Sequence, residues 1–424
     1  MRIHWFSPLP PAHTGIAEYT RRLLPSLRVH ADVTLWTTQE RWAYSLNRLA
    51  EVRRFDPRAL PAELREGAVF YNIGNNSQYH AAIWEAARQA PGFAIMHDAF
   101  MHDSVAHSYQ VRHDRPAYLA LMQSLYGPRG RRDAEIYWEG GLTIPQMGRR
   151  YTCAPYILDT SLGAVAHSRM AARALRREAD LPVIEMPLPY PARRRPAPHD
   201  GPPPWRLVVF GYLGSNRCLD QTLTALASSR DPRAFHLHSY GDSENRAPLL
   251  AAIERLQIQD LVTVHGFVPE VDLDRALAAA HLAINLRFPT KGEASYSQLR
   301  IWSHALPSLV SRIGWYAELP EDAAAFVRPN ALVEDLAAHL DRYAAAPARY
   351  IETGQAGHRY FVETHSPAKY AAALIEMARH AHEYRDRWYA SLLADRAAEA
   401  LAGWFDPSTF PAYAGHLGQA IRLP

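Results

Sequence analysis

The chain is short of cysteine, lysine and long apolar runs, and each shortage removes a class of protein. Two cysteines, Cys153 and Cys218, among 424 residues provide neither a disulfide framework nor the spacing of a zinc site, which fits a reducing cytoplasm. Lys291 and Lys369 are the only lysines among 46 basic residues, the rest being arginine. Against 43 acidic residues the formal net charge is +3, and no basic stripe is interleaved with aromatics. Nucleic acid is therefore not expected as a partner. No apolar run approaches the ~20 residues of a membrane span. The short apolar stretch within Met1–Ser7 reads as a first strand rather than a secretion signal. Internal repeats at the periods of solenoids and propellers are missing too. A cytoplasmic protein is expected.

What is present is ordinary globular chemistry, 48% hydrophobic and 21% charged, in a chain too long for one core. Six prolines between Pro191 and Trp205 allow neither a helix nor a central strand to cross that segment. The expected division is a first domain over 1–190, a linker over 191–205, a second domain over 206–385 and terminal helices over 386–424.

Both halves repeat one grammar, a short β-branched or aromatic run, a turn, then an apolar pattern of helical period. Strands are expected at Ile3–Ser7, Val33–Thr37, Val69–Ile73, Phe93–His97 and Leu162–His167. The second half supplies Leu207–Phe210, Phe235–Tyr240, Val262–His265, Leu282–Leu286 and Ser308–Ile313. Leu219, Leu223 and Leu226 mark one helical stripe, and Ala331–Ala346 and Met377–Trp404 read as further helices. The fold class is α/β, with two Rossmann-like domains built on parallel sheets and facing each other across a cleft.

Ligands of such sheets bind beyond the carboxyl ends of the strands, so the residues there carry the function. After the first strand, a proline-stiffened loop places Gly15 just before a helix, where backbone N–H groups can approach a ligand; a plain turn is the alternative. His97 ends the fourth strand, where a neutral imidazole could bond a sugar hydroxyl; His102 and His107 follow without metal-ligand spacing. Four glycines, Gly211, Gly241, Gly266 and Gly314, end strands of the second half and suggest clearance for a large or phosphorylated ligand.

The richest stretch is His281–Trp302. A helix is expected from about Ala294, and its free N–H groups with Ser295 form an anion seat. Arg287 and Lys291 add positive charge for an anionic leaving group, Gly292 leaves room, and the Glu293 carboxylate suits the hydroxyls of a neutral polyol. A phosphate seat beside a hydroxyl acceptor describes a nucleotide-sugar site; a capped surface helix beside a charged loop is the plainer alternative.

Together these residues resemble the retaining glycosyltransferases of family four, of group 1 type, whose architecture is GT-B. The resemblance is strongest at Ser7–Tyr19, Tyr71–Asn76, Met96–Asp98, Val165–Ser168, Phe210–Asp220, His265–Glu270, Asn285–Ser295 and Gly314–Pro320. It implies a first domain that binds the acceptor, a second that binds the donor, and final helices packed back on the first. Gly15 would line the donor-diphosphate and acceptor side of the cleft, and His97 and Glu293 would contact the transferred sugar. The loop carrying Gly211, Asn216 and Arg217 would supply cations to the diphosphate. The sequence departs from the family at Tyr212, where an arginine is usual, at Arg217, usually lysine, and at Ile301, where the second signature glutamate would fall.

The expected activity is metal-independent transfer of a hexosyl group, with no cofactor, from a nucleoside-diphosphate sugar to a glycan, lipid-linked or small-molecule acceptor. A nucleotide-sugar epimerase and a non-catalytic nucleotide-sugar-binding partner of a synthase are the alternatives. Arg129, Arg131 and Arg132 read as a solvated loop, with peripheral contact at the inner face of an anionic membrane as the other reading.

Overall fold

Runs such as Ala68–Ile73, buried at every position, can only be central strands of a sheet covered on both faces. The computed structural model describes residues 1–192, 196, 199–242 and 246–402. In its first domain the strands are β1 (Arg2–Phe6), β2 (Asp32–Thr37), β3 (Glu51–Arg54), β4 (Ala68–Ile73), β5 (Phe93–Met96), β6 (Gly163–Ala166) and β7 (Val183–Glu185). The second contains β8 (Trp205–Phe210), β9 (Phe235–Tyr240), β10 (Val262–Gly266), β11 (Leu282–Ile284), β12 (Ser308–Ser311) and β13 (Ala325–Val327). All pairings are parallel. The orders are β3-β2-β1-β4-β5-β6-β7 and β10-β9-β8-β11-β12-β13.

Every strand expected from the sequence is present, and three were missed: β3, β7 and β13. All three lie at sheet edges, and β3 reads Glu-Val-Arg-Arg, the charged sequence with which edges avoid further pairing. In each sheet the chain reverses its direction of strand addition between β1 and β4, and between β8 and β11. Those two switch points open crevices at the strand ends.

A helical insertion fills 102–158 between β5 and β6. Arg129, Arg131 and Arg132 belong to its helix Arg115–Trp138 and are exposed there, so the expected loop is a solvated helix face. Arg131 pairs with Glu135 one turn on. Among the described residues no helix is long and apolar enough to cross a membrane.

The helix Gly15–Leu27 begins at a Thr14 cap and buries Ala17, Tyr19, Leu23, Leu24 and Leu27. Against it packs the helix Pro367–Arg379, with Tyr370, Leu374 and Ile375 in the same core and the Tyr19 and Tyr370 hydroxyls 3.1 Å apart. The chain is thus back on the first domain by Pro367. The expected helix Met377–Trp404 is two helices, Pro367–Arg379 and Ala381–Ala402, and residues 403–424 of the expected terminal segment lie outside the described residues.

Two segments pass between the domains, and they bond to each other. His365 Nδ1 meets the Leu188 carbonyl at 2.7 Å, and Tyr190 N–H donates to the His365 carbonyl at 3.0 Å. Beyond that crossing the linker is anchored on the second domain by buried His199, whose ring nitrogens meet the carbonyls of Ala280 and His304.

Candidate active site

The first-domain wall of the cleft is built from β1, β4 and β5. His97 follows β5, its N–H donating to the Ile73 carbonyl at 2.9 Å. Asn72 of β4 fixes the ring: its Nδ2 donates to the Phe6 carbonyl, which leaves Oδ1 to accept from His97 Nε2 at 3.1 Å. Burial, reinforced by His167 and His80, holds His97 well below its usual 6.5, so it is neutral at physiological pH. With Nε2 protonated, Nδ1 is the lone-pair acceptor. The Tyr19 ring stands nearly perpendicular to the imidazole, with the ring centres 4.6 Å apart.

Gly15 is the first residue of its helix, exposed, with open space where a Cβ would stand. Nothing in the protein's own packing demands glycine there, which suits the approach of a ligand to the helix N-terminus.

Asp98 accepts the Asn75 N–H at 2.7 Å. Burial pushes its carboxyl up to about 6, the charge of Glu293 across the cleft adds to this, and Lys291 and Arg287 pull the other way. The ordinary value is 3.8, so between about pH 4 and 6 the folded protein holds a proton that the unfolded chain has lost. Stability therefore falls as pH rises through that window and stays reduced above it. Asp98→Asn is expected to stabilise the protein at pH 7.5 by about 1–2 kcal/mol, the gain shrinking towards pH 5. Thermal melts of parent and variant at the two pH values check this; a gain independent of pH would assign the effect to packing instead.

The second-domain wall is the loop after β11. Glu293 is held by three donors, Arg287 Nε at 3.1 Å, the Thr290 hydroxyl at 3.0 Å and the Lys291 N–H at 2.7 Å. Lys291 Nζ pairs with Asp103 of the first domain. Against the opposing cost of burial, Asp103, Asp98 and Glu293 hold its pKa above the ordinary value. The Lys291 carbonyl accepts the Phe100 N–H at 3.0 Å. Gly292, at φ +78°, comes so near Ala99 that a Cβ would stand 2.8 Å from the alanine methyl. These contacts bring the 287–293 loop against Ala99–Asp103 of the other domain.

The helix expected near Ala294 spans Tyr296–Ser303 with Ser295 as its cap, the hydroxyl accepting the Gln298 N–H at 3.2 Å. That hydroxyl also accepts from Asn285 Nδ2 at 3.3 Å, so Ser295 acts first as a helix cap.

Arg217 is buried behind the crevice between β8 and β11. Its Nη1 donates to Asn285 Oδ1 at 2.8 Å, Nη2 to Ser297 Oγ at 3.3 Å and Nε to the Tyr212 carbonyl at 3.3 Å. All three oxygens are neutral, and among the described residues no carboxylate pairs with the guanidinium. Asn216 is half-buried beside it, its carbonyl accepting the Phe288 N–H at 2.8 Å. Gly211 lies over Arg217 at φ +107°, where a Cβ would stand 2.8 Å from Nη2. The strand-end glycines were expected to clear space for a ligand, but at Gly241 the protein itself needs the room, because a Cβ would lie 1.9 Å from the Gly211 carbonyl oxygen.

Ile301 is fully buried with Val208, Phe210 and Leu277, so the position of the second signature glutamate belongs to the core of this protein. Asn72, Asp98, Asp103 and Asn285 were not singled out by sequence. Asp98 follows His97 directly at a strand end, which was the one available signal; the others act through partners remote in the chain. Among the described residues no group of three or more His, Cys, Asp or Glu is placed to hold a metal ion.

No family model matches the chain, and no curated protein matches it in sequence. Solved structures do match. The Anabaena protein Alr3699/HepE, crystallised with UDP and glucose, superimposes with TM-score 0.62 at 12% identity over 89% of this chain and 99% of that one. The fold is GT-B. Sucrose-phosphate synthase from Thermosynechococcus elongatus matches with TM-score 0.61 at 16% identity, over 90% of this chain and 99% of its own. WaaG, a glycosyltransferase involved in lipopolysaccharide biosynthesis, matches with TM-score 0.55 at 13% identity, over 88% and 98%. The chain likewise runs through two parallel-sheet domains.

Proposed function

We propose that the protein is a retaining glycosyltransferase that moves a sugar from a nucleoside diphosphate to an acceptor hydroxyl in glycan, surface-polysaccharide or glycoconjugate biosynthesis. One observation carries the reading. A cation whose partners among the described residues are all neutral (Arg217), a carboxylate held by three donors (Glu293) and a neutral histidine of defined tautomer (His97) lie at the facing strand ends of two domains. That juxtaposition suits a donor whose diphosphate is anionic and whose sugar is not. HepE, of the same fold, has been crystallised with UDP-glucose, which supports a nucleotide sugar as ligand.

In this mechanism the diphosphate lies over the β8–β11 crevice, towards Arg217, Gly211 and the start of the helix Tyr296–Ser303. Its sugar extends to Glu293, which accepts hydroxyl protons, and to Nδ1 of His97. The bond between the anomeric carbon and the leaving oxygen breaks, and its electron pair goes to the diphosphate, where Arg217 and the helix N–H groups stabilise the growing charge. The acceptor oxygen bonds to the anomeric carbon from the same face and passes its proton to a leaving phosphate oxygen. Fixed cations carry the electrostatic load in place of a metal, so activity is expected to withstand chelator. The contacts of Gly292 with Ala99 and of Lys291 with Asp103 exclude water that would otherwise hydrolyse the donor.

A nucleotide-sugar panel tests this. A cognate donor at about 100 times its Kd stabilises the fold by about 2.7 kcal/mol, a melting shift of several degrees. Release of nucleoside diphosphate on adding an acceptor then separates a transferase from a binding partner, and product formed without acceptor would mark an epimerase. A panel with no shift at all would refute the reading.

A further inference from the structure

Apart from the donor crevice, a cavity of about 740 Å³ has charged walls. One wall is the helix Arg169–Glu178, on which Arg169, Arg173 and Arg177 recur every fourth residue and so share a face. Arg149 and Arg150 line the same space. Like charges at this spacing destabilise a helix, and Arg169 sits at the N-terminal end, where the backbone dipole favours anions.

Two carboxylates line the cavity, and both are engaged by other donors. Glu178 accepts from the Tyr126 hydroxyl at 2.9 Å and the Thr152 hydroxyl at 2.6 Å. Glu318 accepts the N–H groups of Arg169 at 2.9 Å and Met170 at 2.6 Å, and it also pairs with the Arg169 side chain, whose Nε lies 3.7 Å away. Arg150 is paired with Asp133 at 2.7 Å, whereas the side chains of Arg173 and Arg177 meet no carboxylate within ion-pair distance among the described residues. The cavity also borders the donor loop, because Phe100, which lines it, donates its N–H to the Lys291 carbonyl.

We infer that this cavity binds the phosphate of a phosphate-bearing acceptor, with Arg173 and Arg177 as its main ligands. The word acceptor rests on the glycosyl-transfer reading; the anion site stands without it. Guanidinium groups match phosphate oxygens two at a time, and a phosphate here neutralises charges that otherwise repel across the cavity. A lipid headgroup and a soluble sugar phosphate both present that chemistry.

The test is calorimetric titration of the full chain with inorganic pyrophosphate. Pyrophosphate is expected to occupy both this cavity and the donor crevice: Arg173→Ala/Arg177→Ala is expected to weaken one of the two binding events at least tenfold, while Arg217→Gln weakens the other and leaves this one within about threefold. Arg173→Gln/Arg177→Gln repeats the charge removal with longer side chains in case the alanine pair melts early. Parent-like affinity in both double variants, loss only in Arg217→Gln, or no pyrophosphate binding by the parent would each overturn the site. Flotation with phosphatidylglycerol vesicles, lost in the double variant and not seen with phosphatidylcholine, assigns the phosphate to a lipid; loss of pyrophosphate binding without flotation of the parent assigns it to a soluble acceptor. Should the nucleotide-sugar panel stay silent while the double variant still loses pyrophosphate, the donor reading fails and the anion site remains.

Discussion

Glu293→Gln is expected to lower donor turnover by about 10²–10³-fold while leaving the melting temperature within a few degrees of the parent. Glutamine preserves the shape of the side chain and one oxygen acceptor, so the loop keeps part of its hydrogen bonding to Thr290 and Lys291. Two things are lost. The charge that offsets Arg287 disappears, and the amide turns a donor towards groups that are themselves donors. Sugar hydroxyls bonded by the carboxylate would lose their strongest acceptor as the anomeric centre becomes positive. Measured with the donor found by the panel, kcat is expected to fall far more than affinity for the nucleoside diphosphate alone. Unchanged kcat would remove Glu293 from the chemistry.

Arg217→Gln is expected to weaken binding of the donor and of its nucleoside diphosphate alike, by about 10–100-fold, the worth of one charge-assisted bond of about 1.5–3 kcal/mol. Arg287 and Lys291 already face Glu293 and Asp103, whereas the hydrogen-bond partners of Arg217 are the neutral oxygens of Asn285, Ser297 and Tyr212. Removing Arg217 therefore subtracts positive potential that no paired carboxylate among the described residues was cancelling. Arg217→Lys is expected to recover part of the affinity, because it restores charge without the planar fork. Calorimetry on the three proteins decides, and equal affinities would exclude Arg217 from the diphosphate site.

The central strands were legible because burial on both faces demands continuous apolar runs, as in Ala68–Ile73 and Trp205–Phe210. β3 was not, since an edge strand written Glu-Val-Arg-Arg carries no apolar signature. Among the proposed site residues, His97, Arg217 and Glu293 drew attention in the sequence because they stand directly after strands or in the loops that follow them. Ser295 was read as an anion ligand although a serine before an apolar run is equally a cap, and the cap is what it forms. The pairing of Lys291 with Asp103 spans 188 residues and has no local pattern, so only the folded chain reveals it. The rise of the Asp98 pKa comes first from burial, and a carboxylate of the other domain adds to it, so it too is visible only in the folded chain.

Because the chain leaves the first domain near Tyr190 and returns near His365, and those two points are hydrogen-bonded together, both covalent connections between the domains run through one spot, while Arg22–Glu270, Arg169–Glu318 and Lys291–Asp103 join the domains elsewhere. A fragment ending at the linker would lack the helix carrying Tyr370 and expose the apolar side of its first helix, so it is expected to be less stable than the same domain within the whole chain.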